Sequence, residues 1–161
     1  MTQPIVRRAT ADDAETLLAL IDALADYERL ARPTADARER LIRDGFGPEP
    51  RFRALLGLVD GRAAGYAVCY HTYSTFLARP TMFLEDLFVL PDYRGRSVGS
   101  ALFRAVARQA LEDGCGRMEW MVLTWNRLAM DFYDRAGASP LSDWQPYRLE
   151  GPALEAAGSR S

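Results

Sequence analysis

The chain has 161 residues, a formal net charge of −2 and an apolar fraction of 48%, which is the composition of an ordinary globular protein. A chain of this length can bury roughly two-thirds of its unfolded surface in one domain, so we expect a single domain over residues 1–150 and a short polar tail over 151–161. The charge balance argues against a nucleic-acid-binding protein. One histidine and two widely spaced cysteines argue against a metal centre or a disulfide framework.

The basic residues are all of one kind: the 20 basic side chains are arginines, and no lysine occurs. The chain therefore has no side-chain amine of its own. The sequence shows neither a signal peptide nor an apolar run of about 18 residues, and it predicts a cytoplasmic protein that makes no use of a membrane.

The first part of the chain predicts one strand and two helices. A strand over residues 5–8 is followed by Thr10 and Asp13, which resemble a capping box with Asp at its last position. The helix after it carries one apolar face, formed by Ala14, Leu17, Leu18, Ile21, Leu24 and Ala25. A second helix is expected over residues 34–44, before Gly45.

The middle of the chain predicts strands. Residues 52–59 and 62–73 are strand-like runs joined by Asp60-Gly61, which is the strongest hairpin signal in the sequence. Residues 74–81 are expected to form a loop. Residues 87–90 form an apolar run that indicates a buried strand, which Pro91 ends.

Residues 94–100 form a basic turn, Arg-Gly-Arg-Ser-Val-Gly-Ser, that opens into an amphipathic helix ending at Gly114. The apolar face of that helix contains Val98, Leu102, Ala105 and Val106. The first N–H groups of a helix have no internal partners, so the turn predicts an anion site for a phosphate or diphosphate. The spacing fits neither a P-loop nor a dinucleotide fingerprint.

The last part of the chain predicts two strands around a helix. The strands are expected over residues 117–123 and 144–149. Asn126 is placed to cap the N-terminus of the intervening helix, which is expected to end at Gly137.

Residues 93–100 resemble the acetyl-CoA diphosphate loop of the GNAT N-acetyltransferases, whose pattern is Arg/Gln-x-x-Gly-x-Gly/Ala. Arg94 and Gly99 match that pattern, whereas Ser97 stands where the family usually has its first glycine. If this position requires a positive φ, the serine is strained; if it is helical, the serine is harmless. The motifs 24–28, 44–47, 83–89, 125–126, 132–133 and 137–138 resemble the diamine/polyamine (spermidine/spermine) branch of the family, and the resemblance extends over residues 5–149.

This resemblance implies a fold and a set of binding residues. The fold is a mixed α/β (α+β) domain with a largely antiparallel sheet, flanking helices and strands that splay at the acetyl-CoA site. The implied cofactor contacts are the turn residues Arg94, Gly95, Arg96, Ser97, Val98, Gly99 and Ser100, the backbone of Leu87, Phe88 and Val89, and Asn126. The implied acceptor pocket contains Tyr27 and Glu28, and an aromatic face beside a carboxylate suits a cationic amine. Homodimerisation is implied as well.

Two residues have the chemistry that acetyl transfer needs. A lysine-like amine has a pKa near ~10.4, so only about one molecule in 2,500 is the neutral nucleophile at pH 7. Glu85 is the carboxylate chosen either to take up the amine proton, directly or through water, or to bind the acceptor; the base role requires a raised pKa. Asp86 is expected on the opposite face if the strand is regular. Tyr133 falls where the resembled family places the general acid that protonates the departing thiolate.

We therefore predict an enzyme that transfers acetyl from acetyl-CoA to the primary amine of a small cationic acceptor, of polyamine or diamine type, by direct attack in a ternary complex without a metal. Ser74 and Trp144 depart from the polyamine pattern, which leaves an amino-acid or aminoglycoside acceptor open. A module that binds acyl-CoA without turnover is a second alternative. A nucleotide-binding sheet of alternating strands and helices is a third, and the hairpin at Asp60-Gly61 argues against it.

Overall fold

The structure is a computed structural model that describes residues 3–159. The chain divides into two compact units, Met1–Met121 and Val122–Ser161. The first contains β1 (Ile5–Arg8), α1 (Ala14–Glu28), α2 (Ala35–Phe46), β2 (Arg53–Val59), β3 (Arg62–Ser74), β4 (Arg79–Val89), α3 (Val98–Glu112) and β5 (Arg117–Glu119). The second contains α4 (Arg127–Arg135) and α5 (Pro152–Gly158). Among the described residues, no helix combines the length and the apolarity that a membrane crossing requires.

The five strands form one sheet in the order β1-β2-β3-β4-β5. The first three pairs are antiparallel, and β4 and β5 are parallel. This topology confirms the expected mixed, mostly antiparallel sheet and contradicts the alternating strand–helix arrangement of a nucleotide-binding sheet. The hairpin is also confirmed: Asp60 and Gly61 have φ values of 51° and 76°, and positive φ at both residues is the signature of a type I′ turn.

Apolar clusters lie on both faces of the sheet. One face packs against α3 through Val98, Leu102, Val106 and Ala110, and the other packs against α1 through Leu17 and Leu20. Gly57 on β2 lets α3 begin close to the sheet, because a Cβ at this position would lie 2.7 Å from Val98 Cγ1. The start of α3, which matters for the anion site, is therefore fixed by contact with β2.

The predicted helix starts are largely correct. Asp13 accepts a hydrogen bond from the Thr10 N–H at 2.8 Å, as the capping-box pattern predicts. A short 3₁₀ turn, Ala11–Asp13, precedes α1. Helix α2 ends at Phe46 rather than at residue 44.

Three predictions of the strands are wrong. Strand β3 ends at Ser74 and β4 covers Arg79–Val89, so half of the expected 74–81 loop is strand, and residues 82–86, ahead of the predicted 87–90 strand, also belong to β4. Strand β5 ends at Glu119 instead of residue 123. Residues 144–149 are not a strand, and their side chains are exposed, so they bury no apolar face that would stabilise one. The tail contains the helix α5, which Pro152 begins at a favoured first-turn position.

Candidate active site

The turn between β4 and α3 presents unpaired backbone donors at a helix N-terminus. The first intrahelical hydrogen bond is donated by Ala101 N–H to Ser97 O at 2.9 Å. The N–H groups of the first turn, from Val98 to Ser100, therefore have no partner inside the helix. Together with the partial positive charge of the helix end, these donors fit a diphosphate.

The departure at Ser97 has a physical cost. Ser97 is the N-cap of α3 with φ 62° and ψ 11°, in the left-handed region. Gly95, two residues earlier, has φ 73°. A non-glycine residue in this region is strained by about 1 kcal/mol or more. The turn therefore keeps the backbone shape that a glycine would adopt. Of the two cases given for Ser97, positive φ with strain or helical without it, the structure shows the first.

The two arginines of the turn lie in different environments. The Arg94 Nε–H donates to Val89 O at 3.1 Å, and its guanidinium carbon lies 4.9 Å from the centroid of the Tyr27 ring. Arg96 is exposed, and its guanidinium carbon lies 5.5 Å from the centroid of the Tyr93 ring. Arg94 is thus fixed by neighbouring groups, whereas Arg96 extends from the surface of the turn.

The C-terminal half of β4 has one open edge. Strand β5 pairs with β4 only from Thr81 to Phe83, whereas β3 pairs with β4 as far as Val89. Past residue 83, no strand in the described part of the chain covers the β5 side of β4. Backbone groups of Leu87, Phe88 and Val89 lie along this half of the strand, where the resemblance places the pantetheine and oxyanion contacts.

A β-bulge places two carboxylates on one face of the sheet. Val68 pairs with Asp86 and Cys69 with Leu84, so Glu85 is an extra residue on β4. The Tyr70 hydroxyl donates to Glu85 Oε2 at 2.7 Å, and the Tyr66 hydroxyl donates to Asp86 Oδ2 at 3.1 Å. The two tyrosines are four residues apart on β3 and point to the same face. A regular strand is the condition for Asp86 to alternate away from Glu85, and the bulge means that this condition is not met.

The electrostatics of this face favour a cationic guest. Burial raises the pKa of Asp86 to about 6; the hydrogen bond from Tyr66 acts in the opposite direction, and the charges of Glu85 and Glu28 raise the value further. Burial also raises the pKa of Glu28. Burial and the hydrogen bond to Glu85 raise the pKa of Tyr70 to about 12, so its hydroxyl stays a donor at neutral pH. Three carboxylates close enough to influence one another repel, and a cation between them would relieve that repulsion.

Tyr27 and Glu28 occupy the end of α1 at this face. The Tyr27 ring packs against Phe88 with centroids 6.0 Å apart. Arg29 follows in the left-handed conformation with φ 59°, and the Leu30 N–H donates to Ala25 O at 2.9 Å. The helix end is therefore closed directly after Glu28, which fixes both side chains relative to β4.

Asn126 and Tyr133 lie in the second unit, on α4. Asn126 is the N-cap, and its Oδ1 accepts a hydrogen bond from the Ala129 N–H at 3.2 Å, which confirms the predicted capping role. Tyr133 is half-buried and lies edge-on to Phe132, with ring centroids 5.3 Å apart. The structure thus brings Glu85, the turn and the end of α1 together in the first unit, and it places Asn126 and Tyr133 in the second.

Three residues of the carboxylate face were assigned no role from sequence: Asp86, Tyr66 and Tyr70. The aromatic spacing on β3 contains a usable signal, since residues four apart on a strand share a face. The position of Asp86 contains none, because the bulge at Glu85 depends on the pairing register of β3 with β4.

Comparison with known proteins relates this site to enzymes. Residues 17–138 match the profile of the "Acetyltransferase (GNAT) family". A thialysine N-epsilon-acetyltransferase of Bos taurus is 37% identical over 166 residues, covering 96% of this chain and 97% of that protein. An L-ornithine N5-acetyltransferase of Arabidopsis thaliana is 40% identical over 99 residues, covering 62% of this chain and 43% of that protein. An integron cassette protein from the V. cholerae mobile metagenome has the same fold, with a TM-score of 0.80, 21% identity and coverage of 99% of this chain and 100% of that one.

Proposed function

The chain belongs to the GNAT family and is an acetyl-CoA-dependent N-acetyltransferase, and on that premise we propose that its acceptor is the terminal primary amine of a small cationic molecule of diamine or polyamine type. The observation that carries the proposal is the face formed by Glu85, Asp86 and Glu28. Tyrosine hydroxyls donate to Glu85 and Asp86. In the described part of the chain, no positively charged side chain is among the groups that set the pKa of Asp86, whereas the charges of Glu85 and Glu28 raise it. An alkylammonium ion supplies the missing charge.

Glu85 is the first group we assign to the reaction. It is exposed on the bulge, where an acceptor can reach it, and its Oε2 is held by the Tyr70 hydroxyl at 2.7 Å. In the proposed reaction one proton leaves the ammonium group for Glu85, directly or through a water molecule, and the amine lone pair then attacks the thioester carbonyl. Glu85 could instead bind the ammonium group as a ligand; the two roles differ in whether kcat or KM changes when the carboxylate is removed.

Acetyl-CoA supplies the acyl group, and this chain supplies donors for its binding and for the charge that develops. The turn N–H groups from Val98 to Ser100, with Arg94, Gly95, Arg96, Ser97 and Gly99, are the proposed diphosphate contacts. Backbone N–H groups of the 87–89 segment would stabilise the oxyanion, and Asn126 is the proposed second contact with the pantetheine arm. As the C–S bond of the tetrahedral intermediate breaks, the Tyr133 hydroxyl would give its proton to the departing thiolate sulfur, and the proton that the new amide nitrogen still has to lose would restore the tyrosine.

Direct attack in a ternary complex is supported by the state of the cysteines. Burial raises the pKa of the Cys69 thiol to about 11, and burial also raises the pKa of Cys115. A thiol kept protonated is a poor nucleophile, so an acetyl-cysteine intermediate is disfavoured. On the basis of family resemblance we further propose that residues 1–150 act as one catalytic domain, and that the enzyme works as a cytoplasmic homodimer.

A second candidate acceptor is an amino acid with a side-chain amine. The relatives named for thialysine and ornithine act on acceptors of that kind. Ser74, where the polyamine branch tends to have an acid, accepts a hydrogen bond from the Leu77 N–H at 3.2 Å within the β3–β4 turn. It therefore serves the turn instead of a second ammonium group, which favours an acceptor with fewer positive charges.

The test is an amine panel with CoA release as the readout. Polyamines, diamines, side-chain-amine amino acids and an aminoglycoside are compared at equal concentration, and Tyr133→Phe is assayed on the best acceptor. We expect turnover with a small alkylamine and a loss of about 10²- to 10⁴-fold in Tyr133→Phe. Unchanged turnover in that variant would remove Tyr133 from the mechanism, and no turnover with any primary amine would refute the proposed acceptor class.

A further inference from the structure

Arg94 is held by two elements at once. Its Nε–H donates to Val89 O at 3.1 Å, which anchors the guanidinium to the end of β4. Its guanidinium carbon lies 4.9 Å from the centroid of the Tyr27 ring and 6.0 Å from that of the Phe88 ring. A cation within about 6 Å of an aromatic centroid is attracted by the ring quadrupole, and the attraction is stronger for a partly desolvated arginine.

This arrangement leaves the two terminal guanidinium nitrogens of Arg94 available to a ligand. The hydrogen bond to Val89 uses only Nε, and among the described residues no hydrogen bond from either terminal nitrogen of Arg94 is found. These terminal groups can donate to an anion at the start of α3 while Nε and the ring contact stay in place. An arginine fork fixed in this way loses less conformational entropy on binding a phosphate.

Tyr27 lies at a helix end whose backbone is fixed. It lies in the last turn of α1, and the left-handed Arg29 with the Leu30 N–H to Ala25 O hydrogen bond closes that helix directly after it. The ring also packs against Phe88, which is 5% exposed and belongs to the core between α1 and the sheet. Contact with the core thus helps to set the position of the ring.

We propose that Tyr27 is a positioning residue for Arg94, and that it acts on the binding of the coenzyme A diphosphate rather than on the acceptor amine. The proposal rests on the proposed function in one respect, that the diphosphate binds at this turn. It competes with the acceptor-pocket role that family resemblance implies for Tyr27, and the two roles predict opposite kinetic signatures. Glu28, the next residue, remains on the carboxylate face, so one helix turn serves both substrates.

The test measures coenzyme A binding to the free protein by calorimetry, without acceptor and without turnover. Tyr27→Leu removes the π face, and Tyr27→Met does so while keeping an unbranched apolar side chain against Phe88. We expect both to weaken the Kd for coenzyme A about three- to ten-fold, the range that a partly buried cation–π contact supports. Tyr27→Phe keeps the ring over Arg94 and should weaken coenzyme A binding less than Tyr27→Met does. In an Arg94→Gln background, Tyr27→Met should have no further effect.

Steady-state kinetics complete the test. The KM for acetyl-CoA should rise in Tyr27→Leu and Tyr27→Met while the KM for the acceptor and the unfolding midpoint of Tyr27→Met stay unchanged. A raised acceptor KM with unchanged coenzyme A affinity would overturn the proposal, as would a Tyr27→Phe variant that binds as weakly as Tyr27→Met. Wild-type protein that binds coenzyme A but acetylates no amine would refute the proposed acceptor and leave the Tyr27 result standing; a wild type that does not bind coenzyme A would overturn both.

Discussion

Asp113 and Asp86 are two partly enclosed carboxylates of the first unit with opposite environments. Asp113 follows α3 and accepts hydrogen bonds from Arg53 and from Gln109 Nε2 at 3.0 Å, and His71 Nε2 lies 2.8 Å from its Oδ2. Burial raises its pKa, but the bonds from Arg53 and Gln109 outweigh that effect and hold the pKa below its usual value.

Among the residues that the structure describes, the side-chain hydrogen-bond partner of Asp86 is the neutral Tyr66 hydroxyl. Burial raises its pKa to about 6; the Tyr66 hydroxyl opposes the shift, and the charges of Glu85 and Glu28 add to it. A carboxylate already paired with a cation contributes to folding, whereas one left among like charges reduces stability and favours binding of a positive ligand. The comparison therefore separates a structural carboxylate from one that belongs to a site.

The largest effect should come from Glu85→Gln, which removes charge from the carboxylate face while keeping a hydrogen-bond acceptor for Tyr70. We expect kcat/KM to fall about 10²-fold or more, whereas Asp113→Asn should stay within about two-fold of wild type once both are confirmed folded. If Glu85 is the proton acceptor, kcat of the variant should fall and should no longer rise with pH as a carboxylate ionises. If Glu85 binds the acceptor, the KM for the acceptor should rise instead. Equal activity in the wild type and Glu85→Gln would contradict both roles.

Asp113→Asn should reduce stability. The substitution weakens the bonds from Arg53 and His71 and leaves the positive charge of Arg53 without its counter-ion, which we expect to lower the unfolding free energy by about 1–3 kcal/mol at pH 7. Because the folded-state pKa of Asp113 is lowered, its stabilisation is complete above the unfolded pKa and is lost as the pH falls through the folded value. Urea unfolding of the wild type and of Asp113→Asn across the acid range measures the difference between their unfolding free energies, which should disappear only below about pH 4. A difference that grows as the pH falls would refute the stabilising role of the ionised Asp113.

Asp86→Asn should have the smaller effect and the opposite sign. The folded state binds the Asp86 proton more tightly than the unfolded state, so the unfolding free energy falls as the pH rises from about 4 to about 6 and stays lower above that. Asparagine keeps an acceptor for Tyr66 and removes the charge, so the variant should be more stable than wild type by about 1–2 kcal/mol at pH 8. Denaturant unfolding at pH 8 and at pH 4 should show the gain only at pH 8; a loss at pH 8 would show that Asp86 is compensated like Asp113.

Sequence reasoning succeeded where the information is local. The turn at Asp60-Gly61 and the cap at Asn126 each depend on a few adjacent residues, and both are confirmed. The expected anion site is equally local, since its donors are consecutive N–H groups at the start of α3, and its diphosphate ligand stays a prediction.

Sequence reasoning failed where partners far along the chain decide. The expected strand over residues 144–149 has strand-like composition but no buried face in the structure. The sequence does not determine the conformation of Ser97, because serine is compatible with either a helical or a left-handed backbone at modest cost; in the structure its φ is 62°. The environment of Asp86 follows from the register of β3 with β4 and from the position of α1, neither of which a local pattern specifies.

The extra residue at Glu85 also makes this strand sensitive to a change in length. Strand β4 needs one residue more than its neighbour to bring Val68 opposite Asp86 and Cys69 opposite Leu84. Deleting a single residue here would give an uninterrupted ladder with one carboxylate fewer, and the better-paired strand would present a less acidic surface to the acceptor. Removing Glu85 is therefore expected to reduce acetyl transfer before it changes whether the protein folds.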